Sequence, residues 1–494
     1  MNTPQLVIPY GSADYAALVP TFVVAVTALV VILADLLTPK KARRAANIAV
    51  GIIGLVVAGA LALQGWGHPI AAFGGAFVNG GFAIVFQEII VVAAVFSLMM
   101  SYALGREDQS GGAIALMLWS ASGAMLMAGA SNLLTIFLGI ELLSLALYCL
   151  CAMSSRSGAR ESALKYLILS STASGFLLYG MALLFGATGS VALSALANPP
   201  VSSALFDIGA GMFLIGICFK LSLVPFHVWT PDVYEGAPLP VTAFMSVVTK
   251  AGTLAVLARF AYAALPSAHG QAMMLPVWIV AALSMIVGNV AALAQTDIKR
   301  LLAYSGIAQL GYIVASLAGT TAFGLRYAIF YLGAYTFMNL GAFAVVALLS
   351  RNHDEGSHLS AFNGLGYRQP VLAGAMTFFL LSHCAQRVRL SRRVQRIPQE
   401  NKAFGAPRVL RQDLGSDAPA HRFPANEEIF RRRGGDDCTP TSLESVVAIG
   451  GAPPFLGVDE VEREDVDPAF CEPAGDGHHE RVVLIGPCSM RQNE

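Results

Sequence analysis

Charge is scarce along most of this 494-residue chain: 13% of its residues are Asp, Glu, Lys or Arg, while 55% are hydrophobic. With a mean hydropathy of +0.63, the composition excludes an ordinary soluble domain and describes a polytopic membrane protein. The first twenty residues lack any basic residue, so no cleaved signal peptide is expected, and the first apolar run reads as a signal anchor. The seven cysteines lack metal-site spacing: Cys149 and Cys151 flank a single residue, Cys218 sits in an apolar run, and the rest are scattered near the C-terminus. No iron–sulfur, zinc or haem motif results, so any redox chemistry is assigned to another chain. A net charge of zero conceals a boundary. Residues 1–382 carry 29 charged side chains, and the 112 residues from 383 onward carry 33.

A membrane-spanning helix needs about 20 apolar residues. Runs of that kind cover 16–37, 46–65, 80–104, 112–130, 131–153, 162–188, 205–229, 240–263, 275–296, 298–319 and 326–350, and a twelfth begins at Val371 and stops at Leu381. The predicted fold is therefore an all-α polytopic bundle of about eleven complete spans and a truncated twelfth. Helices one to three occupy 1–111. Helices four to eight (112–263) and nine onward (264–382, incomplete) form an expected duplicated unit, as in transporters built from inverted repeats with broken helices. Basic residues fix the expected orientation. With the N-terminus outside, the inner loops collect Lys40, Lys41, Arg43, Arg44, Arg106, Arg156, Arg160, Lys299, Arg300, Arg351 and Arg368, against Arg326 outside. Arg259, near the outer end of its helix, is expected to snorkel.

The sequence departs from a plain bundle at FKLSLVPFHVWTPDVYEGAPLP, Phe219–Pro240. Lys220 enters an apolar helix, where a central lysine costs about 2.5–3.5 kcal/mol and marks a functional site. Pro225 removes the partner of the Leu221 carbonyl and is expected to break the helix. His227 adds a group titrating near neutrality. Broken backbone at membrane depth requires burial or a watery cavity, so an ion path, most simply for protons, is indicated. Glu141, about ten residues into the fifth span, needs an ammonium to stay charged. Lys165, Lys220 and Lys250 are the candidates, and one carboxylate facing three lysines reads as a relay; Glu161, at i−4, is an alternative partner for Lys165. Glu88 is intramembrane and carries no assignment. Asp232 and Glu235 follow the break and serve as proton funnel or helix cap. Lys299 and Arg300 are explained by the inner surface, and Gln309 carries either a water chain or an interhelical hydrogen bond.

These motifs, together with FLGIELLSLALY, ALKYLILS and AQTDIKRLLAYSGIAQLGY, closely resemble the antiporter-like subunit N family of proton-translocating NADH–quinone oxidoreductase, respiratory complex I, from about Thr21 to Leu381. Related subunits and multisubunit sodium/proton antiporters share the glutamate, the lysines and the FHxWxPD core but continue PDAH; PDVY at Pro231–Tyr234 is similar to subunit N. The resemblance implies that Glu141 tunes Lys220, the first-channel proton carrier. Lys165 is then a coupling lysine, and Lys250 the step toward a second half-channel. It implies FMN, iron–sulfur clusters and quinone in partner subunits and none in this chain. The implied partners are neighbouring antiporter-like and peripheral subunits and lipid, without nucleic acid. The implied location is a bacterial inner membrane with a periplasmic N-terminus. A stand-alone or Mrp-like cation/proton antiporter and an inert assembly piece are the alternative readings. After Ser382 the family pattern ends. HCAQRVRLSRRVQRIPQ and the rest, with 14 Arg against Lys402 alone, read as an out-of-frame or fused tail rather than a genuine, disordered extension. On that reading the second channel lacks its broken helix and exit lysine, and proton transport is expected to be impaired.

Overall fold

A long apolar run can satisfy its backbone within a membrane by closing helical hydrogen bonds internally, and the chain takes this solution almost throughout. The computed structural model describes residues 11–104, 110–153, 157–197, 203–264, 274–318, 322–350 and 358–381; the segment 383–494 lies outside them. In order come α1 (Ser12–Leu37), α2 (Lys40–Gln64), α3 (Gly81–Leu104), α4 (Gly111–Gly129), α5 (Leu133–Ala152) and α6 (Ser157–Thr188). They are followed by α7 (Ser203–Leu221), α8 (Trp229–Gly236), α9 (Leu239–Ala264), α10 (Met274–Leu293), α11 (Ile298–Leu317) and α12 (Ala322–Ser350), then a shorter α13, Pro370–Leu381. A two-stranded antiparallel ribbon, β1 (Ile70–Ala72) with β2 (Phe77–Asn79), joins α2 to α3.

Ten of the described helices are long and apolar enough to cross a membrane. The expected span 298–319 forms α11 at the right length but falls outside that set, because Lys299, Arg300 and Gln309 dilute its apolarity. The expected span 205–229 is not one helix. It ends at Leu221, and α8 is a separate short element.

Helix α9 is buried along its whole apolar span, while α10 is the most exposed of the ten. Around α9 the bundle is made of tight antiparallel pairs, α1 with α2, α4 with α5, α6 with α7 and α10 with α11. Lipid tails are as apolar as the helices, so pairing depends on close backbone approach at small residues. A Cβ on Gly123 of α4 would lie 2.6 Å from the Leu143 nitrogen and 2.8 Å from the Gly139 carbonyl oxygen of α5. The α10–α11 pair repeats this: a Cβ on Gly288 would lie 2.7 Å from the Ala308 nitrogen.

The duplicated unit is visible in finer detail. Asn132 caps α5 by accepting from the Thr135 nitrogen (2.7 Å), and its backbone bridges Ala192, just before a 3-10 turn at Leu193–Ala197. Asp297 caps α11 by accepting from the nitrogens of Lys299 (2.8 Å) and Arg300 (3.1 Å), and bridges His358, just before a 3-10 turn at Leu359–Phe362. Each unit is thus a helical pair, a capped entry, a third helix and a 3-10 turn leading into the next span. Five further crossings separate the two capped entries, so the copies are inverted.

Arg259 does not snorkel freely. It donates to the carbonyls of Ala128 (3.2 Å) and Val78 (3.4 Å) and to the Ser131 hydroxyl (3.0 Å), and it lies 4.9 Å over Phe82. The guanidinium ties the end of α9 to the ribbon and the α4–α5 turn.

Valine at Gly123 should drive α4 and α5 apart and lower the unfolding midpoint of the detergent-solubilised protein, by the equivalent of about 1–3 kcal/mol of overpacking. Valine at Gly175, where an added Cβ meets nothing within 4 Å, should leave the midpoint nearly unchanged.

Candidate functional site: lysines at a broken helix

Helix α7 stops because Ser222 turns left-handed, with φ +60°. The Leu223 nitrogen then reaches back to the Cys218 carbonyl (2.9 Å) and the Ser222 nitrogen to that of Phe219 (2.9 Å), the two bonds of a Schellman ending. The break therefore precedes Pro225 by three residues; proline occupies the linker and does not end the helix. A non-glycine residue in this conformation costs about 1–3 kcal/mol, and its surroundings supply the compensation. The Ser222 hydroxyl accepts from Lys250 Nζ and from the Thr230 hydroxyl (2.6 Å). Lys250, on the buried face of α9, also donates to the carbonyl of Lys220 (3.1 Å). Trp229 Nε1 donates to the Phe219 carbonyl (3.0 Å). The negative end of the α7 dipole thus meets an ammonium and an indole N–H.

Trp229 is stacked between Tyr166 and Phe219, with centroids 4.7 and 5.5 Å away, and Lys250 Nζ sits 5.1 Å over its ring. Lys220, 4% exposed, turns toward α5 and α6. Its Nζ donates to the hydroxyls of Ser144 (2.7 Å) and Ser170 (2.6 Å), and Tyr148 donates to the same Ser170 oxygen (2.7 Å). Glu141 lies one turn before Ser144 on α5 and accepts from Ser174 (2.6 Å), one turn after Ser170 on α6. It faces Lys220 within Coulombic range but makes no ion pair with it among the described residues. Each is held by its own hydroxyls, Lys220 by Ser144 and Ser170 and Glu141 by Ser174.

Other expected site residues fall elsewhere. Lys165 is half-exposed and pairs with Glu161 (2.7 Å) and Asp232 (3.4 Å), in a surface cluster where Arg300 binds Asp232 (2.7 Å) and Glu235 (2.8 Å). His227 turns its ring edge to Tyr304 of α11, centroids 6.3 Å apart, rather than to Lys220, because the chain leaves the α7 axis at Ser222. Its Nδ1 is buried with no hydrogen-bond partner within geometric limits among the described residues. Lys299 does not lie at the open surface: it is 2% exposed and donates to the carbonyls of Glu235 and Ala237 (2.9 Å), closing the end of α8 as Lys250 closes α7. Gln309 accepts from the Tyr331 hydroxyl of α12, and its buried amide nitrogen has no partner among the described residues.

The residues missed from sequence are Ser144, Ser170, Ser174, Ser222 and Thr230. Ser144 had a signal, one helical turn from Glu141; Ser222 resembles any other serine in an apolar run.

An inverted-repeat helical bundle with buried lysines gathered at a helix break defines the antiporter-like class of membrane subunits. The chain belongs to the NADH:quinone oxidoreductase/Mrp antiporter transmembrane family, whose match covers residues 130–386. It is 41% identical to NADH-quinone oxidoreductase subunit N 1 of Symbiobacterium thermophilum over 369 residues, 72% of this chain and 75% of that protein. Subunit N of Trichlorobacter lovleyi is 40% identical over 391 residues, covering 77% and 79%. A chain of respiratory complex I from Thermus thermophilus with bound aureothin superposes with a TM-score of 0.62 at 34% identity, covering 74% of this chain and 78% of that one.

Asp232 lies in α8, outside the spans. Partial burial pushes its carboxyl up, but Arg300 and Lys165 outweigh that and hold it below the usual carboxylate range. A lowered folded-state value adds stability above the unfolded carboxyl's pKa and loses it as pH falls through the folded value. Asp232→Asn should therefore lower the unfolding midpoint at neutral pH, with the gap to the unaltered protein closing at strongly acidic pH.

Proposed function

We infer that the chain is the subunit-N-type proton-translocating membrane subunit of an NADH–quinone oxidoreductase. It couples electron transfer carried out in other subunits to proton movement across a bacterial inner membrane. The observation that carries this reading is the double use of the α7 ending. Lys220 is held by hydroxyls facing Glu141, while Lys250 is held by the carbonyl of Lys220 and by Ser222.

In this arrangement Glu141 favours a proton on Lys220, and the Ser144 and Ser170 hydroxyls provide the hydrogen-bonded contact through which that proton arrives. The two ammoniums are aimed at different partners, so transfer from Lys220 to Lys250 needs a side-chain swing or a bridging water. Lys250, deprotonated, would lose its charge and hold the α7 carbonyl more weakly, which links the proton's position to the helix break. Gln309, whose amide nitrogen has no partner among the described residues, continues the polar path from α9 toward α12. Lys165, Asp232 and Lys299 serve the inner face, Lys165 and Asp232 in its ion cluster and Lys299 as a clamp on α8. His227, on the linker, is a secondary proton group near Tyr304.

FMN, iron–sulfur clusters and quinone belong to partner subunits in this reading, and the N-terminus faces the periplasm. A cation/proton antiporter of the Mrp kind is the second reading, favoured by the shared family description; PDVY at Pro231–Tyr234 and the subunit-N relatives favour the first.

In the assembled complex, Glu141→Gln or Lys220→Ala should cut NADH-driven proton uptake into vesicles severalfold, while NADH oxidation by an artificial acceptor stays unchanged. Equal loss of both activities would point to failed assembly. Sodium-dependent proton exchange in vesicles of this chain without NADH would replace the reading with the antiporter one.

A further inference from the structure

The inverted repeats keep register residue for residue. The glycine contacts of the α4–α5 pair recur 165 positions later in the α10–α11 pair: Gly123 against Gly139 and Leu143, Gly288 against Tyr304 and Ala308. The capped entries Asn132 and Asp297 are the same 165 positions apart, as are the first residues of α5 and α11 and those of α6 and α12. Carried through that register, Ser144 falls on Gln309, Tyr166 on Tyr331, Ser170 on Tyr335, Ser174 on Asn339 and Glu141 on Gly306. The face of α6 that serves Lys220 and Glu141 thus has a polar counterpart on α12, while the position of the carboxylate is taken by a glycine.

That counterpart is buried and turned to α9. Tyr331, Tyr335 and Asn339 are spaced i, i+4 and i+8 on one face of α12, and Asn339 and its partner Ser246 are each 1% exposed. Asn339 Nδ2 donates to the Ser246 hydroxyl (2.6 Å), and the Tyr335 hydroxyl, more distantly, to the Ser246 carbonyl (3.4 Å). Within α9 that carbonyl also takes the backbone N–H of Lys250, so the α12 face grips the helical turn that carries Lys250. At Gly306 an added Cβ would lie 2.9 Å from Tyr335 Oη; the glycine leaves room for a hydroxyl where the first repeat has Glu141. The Lys250 side chain is fastened separately, to the α7 ending. A bond that only joined α9 to α12 could fall at any turn of the pair. This one falls on the Lys250 turn, at the repeat position of the Lys220 site.

We propose that Asn339 and Tyr335 are positioning residues for Lys250, holding its turn of α9 through Ser246 as Ser170 and Ser174 hold Lys220 and Glu141 in the first repeat. The inference rests on the proposed proton-translocating function. The α12 groups are neutral at physiological pH, so they fix where the Lys250 ammonium stands without favouring its charge, whereas Glu141 acts on Lys220 through space. A proton donor or acceptor misplaced by about 1 Å loses much of its rate, and Lys250 set off its turn loses both the α7 carbonyl and its reach toward Lys220.

The test uses the assembled complex in closed vesicles and reads protons taken up per NADH oxidised. Asn339→Leu, which keeps the volume and removes the donor, should lower that ratio severalfold, as Lys220→Ala does, and Tyr335→Phe should lower it by a smaller step. Asn339→Gln, which restores an amide donor, should return most of the loss. Ser246→Ala should match Asn339→Leu, and the two together should lose no more than either alone. A ratio unchanged in Asn339→Leu and Tyr335→Phe, a loss that Asn339→Gln does not return, or losses that add in the double variant would overturn the inference. Where Asn339→Leu prevents assembly, Ser246→Ala and Tyr335→Phe decide on the same ratio. Lys220→Ala in the same vesicles separates the two readings. If it leaves the ratio unchanged, the proposed function fails; if it lowers the ratio while Asn339→Leu does not, this inference alone fails.

Discussion

A helix that ends inside a membrane leaves carbonyls that neither water nor lipid can satisfy. The answer at α7 governs the rest of the site. Two of the last carbonyls are taken by the Schellman bonds at Ser222; that of Phe219 is shared with the Trp229 indole, and that of Lys220 accepts from the Lys250 ammonium. An ammonium is otherwise expensive at this depth, and a helix C-terminus is one of the few uncharged environments that favours it. Break and lysine therefore stabilise each other. Pro225 only guarantees that the chain cannot resume the helix.

The same solution appears at α8, where Lys299 closes the carbonyls of Glu235 and Ala237. Lys250 comes from α9 and Lys299 from α11, so both clamps on this interrupted stretch are supplied by its packing neighbours. The linker is also fixed from α10, whose Ser284 accepts from the Val224 nitrogen (2.9 Å). Interrupted backbone in the first repeat is thus held from within by Lys250 of α9 and from the second repeat by Ser284 of α10 and Lys299 of α11. The two inverted units are joined by hydrogen bonds at the point where the first is weakest.

Charged residues in apolar runs were legible from sequence because the bilayer makes them costly: Glu141, Lys220 and Lys250 stood out on composition alone. Most of the spans were legible for the same reason, since run length carries them; the duplication was only faintly legible, because its capped entries and 3-10 turns leave little mark on the apolar pattern. The location of the break was not. Proline announces itself, but a left-handed serine is stable only because Lys250 and Thr230 meet it from distant sequence positions. Lys299 looked like an inner-surface residue because Arg300 follows it; its burial depends on α8 folding back over it. Lys165 had two readings, and its pairing with Glu161 belonged to the local one.

Glu141 and Lys220 form no direct pair among the described residues; each is bonded to serine hydroxyls instead. A buried carboxylate in contact with an ammonium gains its Coulombic energy by staying put, and removing either partner is strongly unfavourable. With Ser144 and Ser170 as its partners, the Lys220 ammonium donates to groups that both donate and accept, while the carboxylate acts through space. Tyr148, bonded to Ser170, extends the hydroxyl set without adding charge at neutral pH. Lys220 is thus held by hydroxyls, whereas Lys250 is locked between a carbonyl, Ser222 and an indole face.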